Sequence, residues 1–224
     1  NMFKTLNPSK FLLNALDDLG FVKPTPIQEE AFPVIVSGKN VVGIAQTGTG
    51  KTLAYILPIL HSMKYTTDKH PTVLVMVPTR ELVQQVVEQI ALYSKYVTVR
   101  TAGVYGGTNI NTQALTLKDG VDILVATPGR LYDMVIARMI SLKNVKKLVI
   151  DEVDVMLDLG FIFQLTNIFE LLPERRQNIM FSATMTQEVD VLIRDFFYDP
   201  IQISIAVSGT PLENIDQSSY EVPN

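Results

Sequence analysis

Ala45-Gln46-Thr47-Gly48-Thr49-Gly50-Lys51-Thr52 decides the fold, and Leu148-Val149-Ile150-Asp151-Glu152 further along the chain answers it. In the first stretch Gly48 and Gly50 let successive backbone amides turn inward around an anion. Lys51 is placed to reach the β- and γ-phosphates of a nucleotide, and Thr52 to set its hydroxyl on Mg²⁺. The second stretch is an apolar strand tipped with two carboxylates, the arrangement that holds Mg²⁺ and positions an attacking water where nucleotides are hydrolysed. Ala45 stands where the strict loop pattern has Gly. An ordinary Gly-rich turn has no need of the Lys-Thr ending or of the later carboxylates, so the pair predicts a nucleotide hydrolysis site. A cation at a helix start also opposes the helix dipole unless an anion is bound, which favours the same reading of Lys51.

Composition sets bounds around that site. At 224 residues the chain suits one large α/β domain, and 47% hydrophobic residues are enough for a sizeable core. With no cysteine there are no disulfides, and a reducing compartment is compatible. No apolar run approaches the roughly 20 residues needed to span a membrane, and the first residues lack the apolar core of a signal peptide. The expectation is a cytoplasmic, monomeric protein with no membrane partner. A net charge of −4 argues against a sequence-blind basic binder. It leaves room for a local site built from a few Arg side chains, backbone amides and helix N-termini. Only the motifs can decide between these.

Short Val/Ile/Leu runs alternate with helical periodicity along the chain. Strands are predicted over 40–45, 72–77, 97–104, 121–126, 146–151, 178–182 and 201–205. Helices are predicted over 52–63, 80–94, 109–116, 130–137, 162–172 and 187–197. Strands that read as continuous apolar runs are buried on both faces, the mark of a parallel sheet. The fold expected is therefore a doubly wound, mostly parallel α/β sheet with helices on both faces and ligands at the C-terminal ends of its strands. Residues 1–207 form this domain. Residues 208–224 carry Gly209, Pro211, Glu213, Asp216, Glu221 and Pro223 with no Lys or Arg, and read as a linker.

Polar clusters follow the strand ends in order. Gly20-Phe21 and Pro24-Thr25-Pro26-Ile27-Gln28 precede the phosphate loop. Pro78-Thr79-Arg80-Glu81-Leu82, Gly106-Gly107 and Thr127-Pro128-Gly129-Arg130 come after it, then Asp151-Glu152-Val153-Asp154 and Ser182-Ala183-Thr184. In this order and spacing the chain resembles the DEAD-box family of ATP-dependent RNA helicases, specifically the N-terminal RecA-like domain, from Phe3 to about Ile205. Two conservative departures stand out: Val153 replaces the Ala of the family's Asp-Glu-Ala-Asp motif, and Val83 stands where Ala is usual.

The resemblance implies ATP and Mg²⁺ as cofactors and RNA as partner, with roles for named residues. Residues 1–28 form an adenine-recognition segment, in which Gln28 reads the adenine edge through its amide donor and acceptor. Phe21 stacks on the base. Gln46, Thr47, Gly48, Thr49, Gly50, Lys51 and Thr52 hold the phosphates. Thr52 and Asp151 hold the metal, while Lys51, Asp151 and Glu152 act in catalysis, Glu152 by activating the water. Asp154 bonds to the Ser-Ala-Thr segment, so that Ser182 and Thr184 couple hydrolysis to domain movement; capping of the following helix is the plainer reading of that segment. Thr79, Arg80, Gly106, Gly107, Thr127, Gly129 and Arg130 contact RNA through its backbone and 2′-hydroxyls, hence without sequence preference. A surface salt bridge is the commoner fate of an isolated Arg at a helix start.

A second RecA-like domain beyond residue 224 supplies arginine fingers and half of the RNA groove in the family, so the present chain alone is expected to be nearly inactive. Two alternatives remain. A DNA helicase of the same superfamily is disfavoured by Gln28 in its Pro-Thr-Pro-Ile setting and by Ser182-Ala183-Thr184. A non-catalytic RNA-binding scaffold with an inert phosphate loop is disfavoured by intact Lys51, Thr52, Asp151 and Glu152.

Overall fold

The seven apolar runs become the strands of one sheet. The computed structural model describes residues 1–46 and 48–205; Thr47 and residues 206–224, including the predicted linker, lie outside the described residues. The strands are β1 (Val41–Ile44), β2 (Val73–Met76), β3 (Thr101–Val104), β4 (Ile123–Ala126), β5 (Lys147–Ile150), β6 (Gln177–Ser182) and β7 (Ile201–Ser204). All pair in parallel, in the order β3-β4-β2-β5-β6-β1-β7. The phosphate loop after β1 and the carboxylates after β5 are thus separated by a single strand, β6.

Alternate residues of each strand feed two cores. Val73 and Val75 face one layer, built on helices α1 (Lys10–Asp18), α2 (Pro26–Val36), α3 (Lys51–Ser62) and α4 (Arg80–Tyr93). Leu74 and Met76 face the other, with α5 (Ile110–Thr116), α6 (Pro128–Ile136), α7 (Val153–Asp158), α8 (Ile162–Leu171) and α9 (Gln187–Phe196). Each fully buried Val, Ile or Leu contributes about 1.5–3 kcal/mol relative to exposure, so apolar residues dominate both faces. Val83 and Val153 are buried in the two cores. Val83 occupies the space over β3 so closely that a Cβ on Gly103 would stand 2.7 Å from its Cγ1, and the extra volume at 83 therefore requires Gly at 103. Among the described residues no helix is long and apolar enough to cross a membrane.

The predicted architecture holds, with local differences. The strand expected over 97–104 begins at Thr101; just before it the Arg100 carbonyl accepts from Asp122 N and Ile123 N, while Arg100 N donates to the Asp122 carboxylate instead of to a strand carbonyl. The helix expected from 130 starts at Pro128, whose missing N–H costs nothing at a first helical position. Helices α1, α2 and α7 and a 3₁₀ turn at Met2–Leu6 were not anticipated; α2 runs through Pro33, which reads as a breaker in sequence. The turn buries Phe3 in the first core.

Candidate active site

Gly50 makes the turn from β1 into α3 possible. Its φ of 82° is left-handed, and a Cβ there would stand 2.5 Å from Gln28 Nε2, so only Gly satisfies both backbone and space. Thr49 Oγ1 donates to the Gln46 carbonyl at 2.7 Å and closes the loop upon itself. Lys51, the first residue of α3, is thereby aimed across β6 at the end of β5. Its Nζ lies 3.0 Å from Asp151 Oδ1, with both side chains less than a tenth exposed. Beyond that ion pair neither atom has a hydrogen-bond partner among the described residues. A buried ammonium with N–H bonds left over and a carboxylate with free lone pairs fit a phosphate and a cation received between them.

Burial raises the Asp151 carboxyl above the usual carboxylate range, while Lys51 pulls it down. Glu152 is half-buried and also raised, by burial first, against Lys51 and with the Asp151 and Asp154 charges adding to the rise. Its backbone is left-handed (φ 57°), an uncommon conformation for Glu, and starts α7 immediately after the strand. The Tyr55 hydroxyl is buried behind Thr52 and Asp151; desolvation, then the Asp151 charge, push its phenol well above its ordinary range. Nothing in the sequence marks Tyr55, which looks like any core aromatic on a helix.

A cavity of about 280 Å³ joins this pair to the N-terminal segment; Phe21, Gln28, Gly50, Lys51, Thr52 and Glu152 line it. Gln28 is buried. Its Oε1 accepts from Thr25 N at 2.9 Å, half of a capping box for α2, and its Nε2 donates to the Gly50 carbonyl at 3.1 Å. Phe21 stands at the cavity mouth, its ring tilted against Tyr93 of α4 with centroids 6.3 Å apart. Gln85, Gln89 and Tyr93 also line the cavity and carry no sequence signal.

Strand β6 pairs with β5 only as far as Met180 and with β1 as far as Ser182, so its end overhangs the carboxylates. Thr184 Oγ1 donates to Asp154 Oδ2 at 2.9 Å, and Ser182 Oγ donates to the Thr184 carbonyl at 2.6 Å. The cap of α9 is Thr186, so the plainer reading of Ser182–Thr184 as a helix cap does not hold.

The remaining predicted residues gather at the ends of β2, β3 and β4. Thr79 caps α4 by accepting from Leu82 N, and the exposed Arg80 guanidinium lies 5.0 Å over the Tyr105 ring. Tyr105 N donates to Gln113 Oε1, and Gln113 Nε2 donates to Tyr105 O and Thr108 Oγ1. Arg130 donates from Nη1 to the same Gln113 Oε1 and from Nη2 to Thr108 O, both at 2.9 Å. The exposed turn with Gly106 and Gly107 is therefore tied to the segment of Thr127, Gly129 and Arg130 through Gln113, which sequence reasoning missed. Neither Arg80 nor Arg130 makes an ion pair among the described residues, which replaces the expectation of a surface salt bridge.

Residues 25–192 match the model of a known family, described as DEAD/DEAH box helicase. The chain is 40% identical over 221 residues to the ATP-dependent RNA helicase DeaD of Buchnera aphidicola subsp. Baizongia pistaciae, covering 98% of this chain and 36% of that protein. It is 43% identical over 213 residues to the pre-mRNA-processing ATP-dependent RNA helicase prp-5 of Neurospora crassa, covering 92% of this chain and 18% of that protein. Against DEAD-box ATP-dependent RNA helicase 30 of Arabidopsis thaliana the identity is 41% over 225 residues, covering 99% and 38%. The chain thus spans well under half the length of these relatives.

Proposed function

The chain belongs to the DEAD/DEAH box helicase family, and from that premise we propose that it is the nucleotide-binding domain of an ATP-dependent RNA helicase. The observation that carries this reading is the buried Lys51–Asp151 pair behind the Gly50 turn. In this reading Lys51 exchanges Asp151 for β- and γ-phosphate oxygens, which releases the carboxylate. Asp151 and the Thr52 hydroxyl would be the residues to hold Mg²⁺, which would supply neutralisation of phosphate charge. Glu152 orients a water in line with the γ-phosphorus and accepts its proton as the bond to the β-bridging oxygen breaks. Its raised pKa makes it a better base than an ordinary Glu.

Gln28 reads the adenine edge, Phe21 stacks on the ring, and residues 46–50 wrap the phosphates. Thr79, Arg80, Gly106, Gly107, Thr127 and Gly129 bind the backbone of a single RNA strand. Arg130 holds that edge in shape through Gln113 and Thr108 as well as offering charge. The Thr184–Asp154 bond, with Ser182 beneath it, passes the state of the nucleotide site to a second RecA-like domain, to which residues 208–224 lead. The length of the relatives supports such a domain. The domain acts as a monomer, in the cytoplasm, where ATP and RNA meet.

Steady-state ATP hydrolysis by residues 1–224, with and without single-stranded RNA, tests this. Calorimetry should show Mg-ADP binding that Lys51→Ala abolishes, with almost no RNA-stimulated turnover, because an arginine finger supplied from outside is worth about 10³–10⁵ in rate. Robust RNA-stimulated turnover by this chain alone would show that the site is complete without a second domain.

A further inference from the structure

The opposite end of the strands carries a feature that the nucleotide site does not use. At the N-terminal ends of β2 and β5 lies a cavity of about 610 Å³, whose rim includes Lys64, Tyr65, Lys143, Lys146, Lys147 and Arg175. Five of the chain's 19 Lys and Arg residues thus surround one opening, in a protein whose net charge is −4. The carboxylate on that rim is Asp68, and its charge also acts on Arg100, which is already paired with Asp122.

Lys64, Lys143, Lys146 and Arg175 are exposed and make no ion pair among the described residues. Lys147 is half-buried and donates to Gln177 Oε1 at 2.6 Å. Five cations facing a single carboxylate are a concentration of like charge that is unfavourable unless a further anion comes to it. Beside these cations Tyr65 is 75% exposed, with no ring or cation–π contact among the described residues. A neighbouring cavity shares Lys146 and Arg175 and adds Arg176, but Glu170, Glu174 and Asp195 balance them, so the excess of positive charge ends there.

We propose that this cavity is an auxiliary site for a short segment of single-stranded RNA, with phosphates on the lysines and Arg175 and one unstacked base on Tyr65. Single-strand binders combine these two elements, a cationic groove and an aromatic platform. The cations come from three separate segments around an open rim, which suits a strand laid across it better than one compact anion. The proposal rests on RNA being the polymer bound at the ends of β2–β4. The second contact lies at the other end of the sheet, so a strand held there is anchored without touching the nucleotide site.

The test is fluorescence anisotropy with residues 1–224 and an oligouridylate of about 10 nucleotides, within the usual span of such grooves, between about 50 and 200 mM salt. The double variant K143Q/K146Q should reduce the slope of log affinity against log salt by roughly 1.4, about 0.7 for each lost phosphate contact. Tyr65→Ala should weaken binding roughly five- to hundredfold, the range of one base–aromatic stack. Both variants should keep ADP affinity, and ultraviolet cross-linking should join uridine to the peptide containing Tyr65. Unchanged affinity and slope in both variants, with cross-links confined to residues 79–80 and 105–107, would overturn the site. So would displacement of the oligonucleotide by tripolyphosphate, or by an acidic peptide, at concentrations lower than competing RNA requires. If Arg80→Ala weakens binding and K143Q/K146Q and Tyr65→Ala do not, only this second site fails. If the unmutated chain binds no RNA at about 50 mM salt, this second site fails as well, whereas the strand-end site, half of whose groove a second domain would supply, is judged by RNA binding of the two-domain protein.

Discussion

Gln28 Nε2 donates to the Gly50 carbonyl at 3.1 Å, so the side chain proposed to read the base is bonded to the loop proposed to hold the phosphates. The same amide caps α2 through Thr25. In that proposal base and phosphate recognition would share one hydrogen-bonded unit.

Gln28→Ala should weaken ADP binding and remove any preference for ADP over GDP. It should also lower stability by about 1 kcal/mol through the lost cap. Calorimetry with both nucleotides and a denaturant melt measure the two effects separately. Equal affinities for ADP and GDP in the unmutated chain would take Gln28 out of base reading.

Lys51→Ala leaves Asp151 buried without its partner, which costs about 3–5 kcal/mol at neutral pH. The deficit should shrink as pH falls. Burial already raises the Asp151 carboxyl, and without the ammonium it rises further. A folded-state pKa above the unfolded one gives stability that is present at low pH and lost as pH rises through the folded value. Asp151→Asn added to Lys51→Ala should restore most of the stability and none of the nucleotide binding. Urea denaturation at neutral and mildly acidic pH checks the sign.

Glu152→Gln should preserve Mg-nucleotide binding and abolish turnover in a protein that contains both domains. Because burial raises this carboxyl above its usual range, unmutated turnover should fall with decreasing pH earlier than an ordinary Glu would dictate. The acid limb of a kcat–pH profile reports this, and it should be absent from the residual activity of the variant.

Val153→Ala restores the residue usual in the family at a fully buried position. Losing two methyl groups should cost roughly 1–3 kcal/mol of stability. Turnover should change less than tenfold, the equivalent of about 1.4 kcal/mol of barrier. A larger change in kcat would mean that Val153 shapes the carboxylates beside it.

Thr184→Val removes the donor to Asp154 Oδ2 from an exposed position. ADP affinity should stay within about twofold, while the number of duplexes separated per ATP hydrolysed should drop. An unchanged ratio in the two-domain protein would separate this bond from coupling.

The sheet was legible because its strands are buried on both faces and so read as unbroken apolar runs, from Val73–Met76 to Ile123–Ala126. Residues 97–100 read as strand for their apolar content, but an edge strand extends only where its single neighbour reaches. Helix α2 was hidden by Pro33, and α7 by its six-residue length. At the site, Lys51 and Asp151 were legible because each sits in a contiguous motif at a strand end. Gln113 and Tyr55 were not: one polar residue on a short helix and one aromatic on a buried helix look the same whether they organise a site or only fill space. Their roles exist only in the contacts made by folding.

Lys51 and Asp151 also bear on how the domain lets go. The Asp151 carboxylate is a tethered competitor for the ammonium, held 3.0 Å away and never diluted. On the proposed reading an incoming phosphate would displace it, and a departing phosphate would be replaced at once. If the pair receives nucleotide as proposed, residence would be set by the difference between two counter-ions rather than by the full strength of one, which would keep affinity modest and let spent product leave quickly.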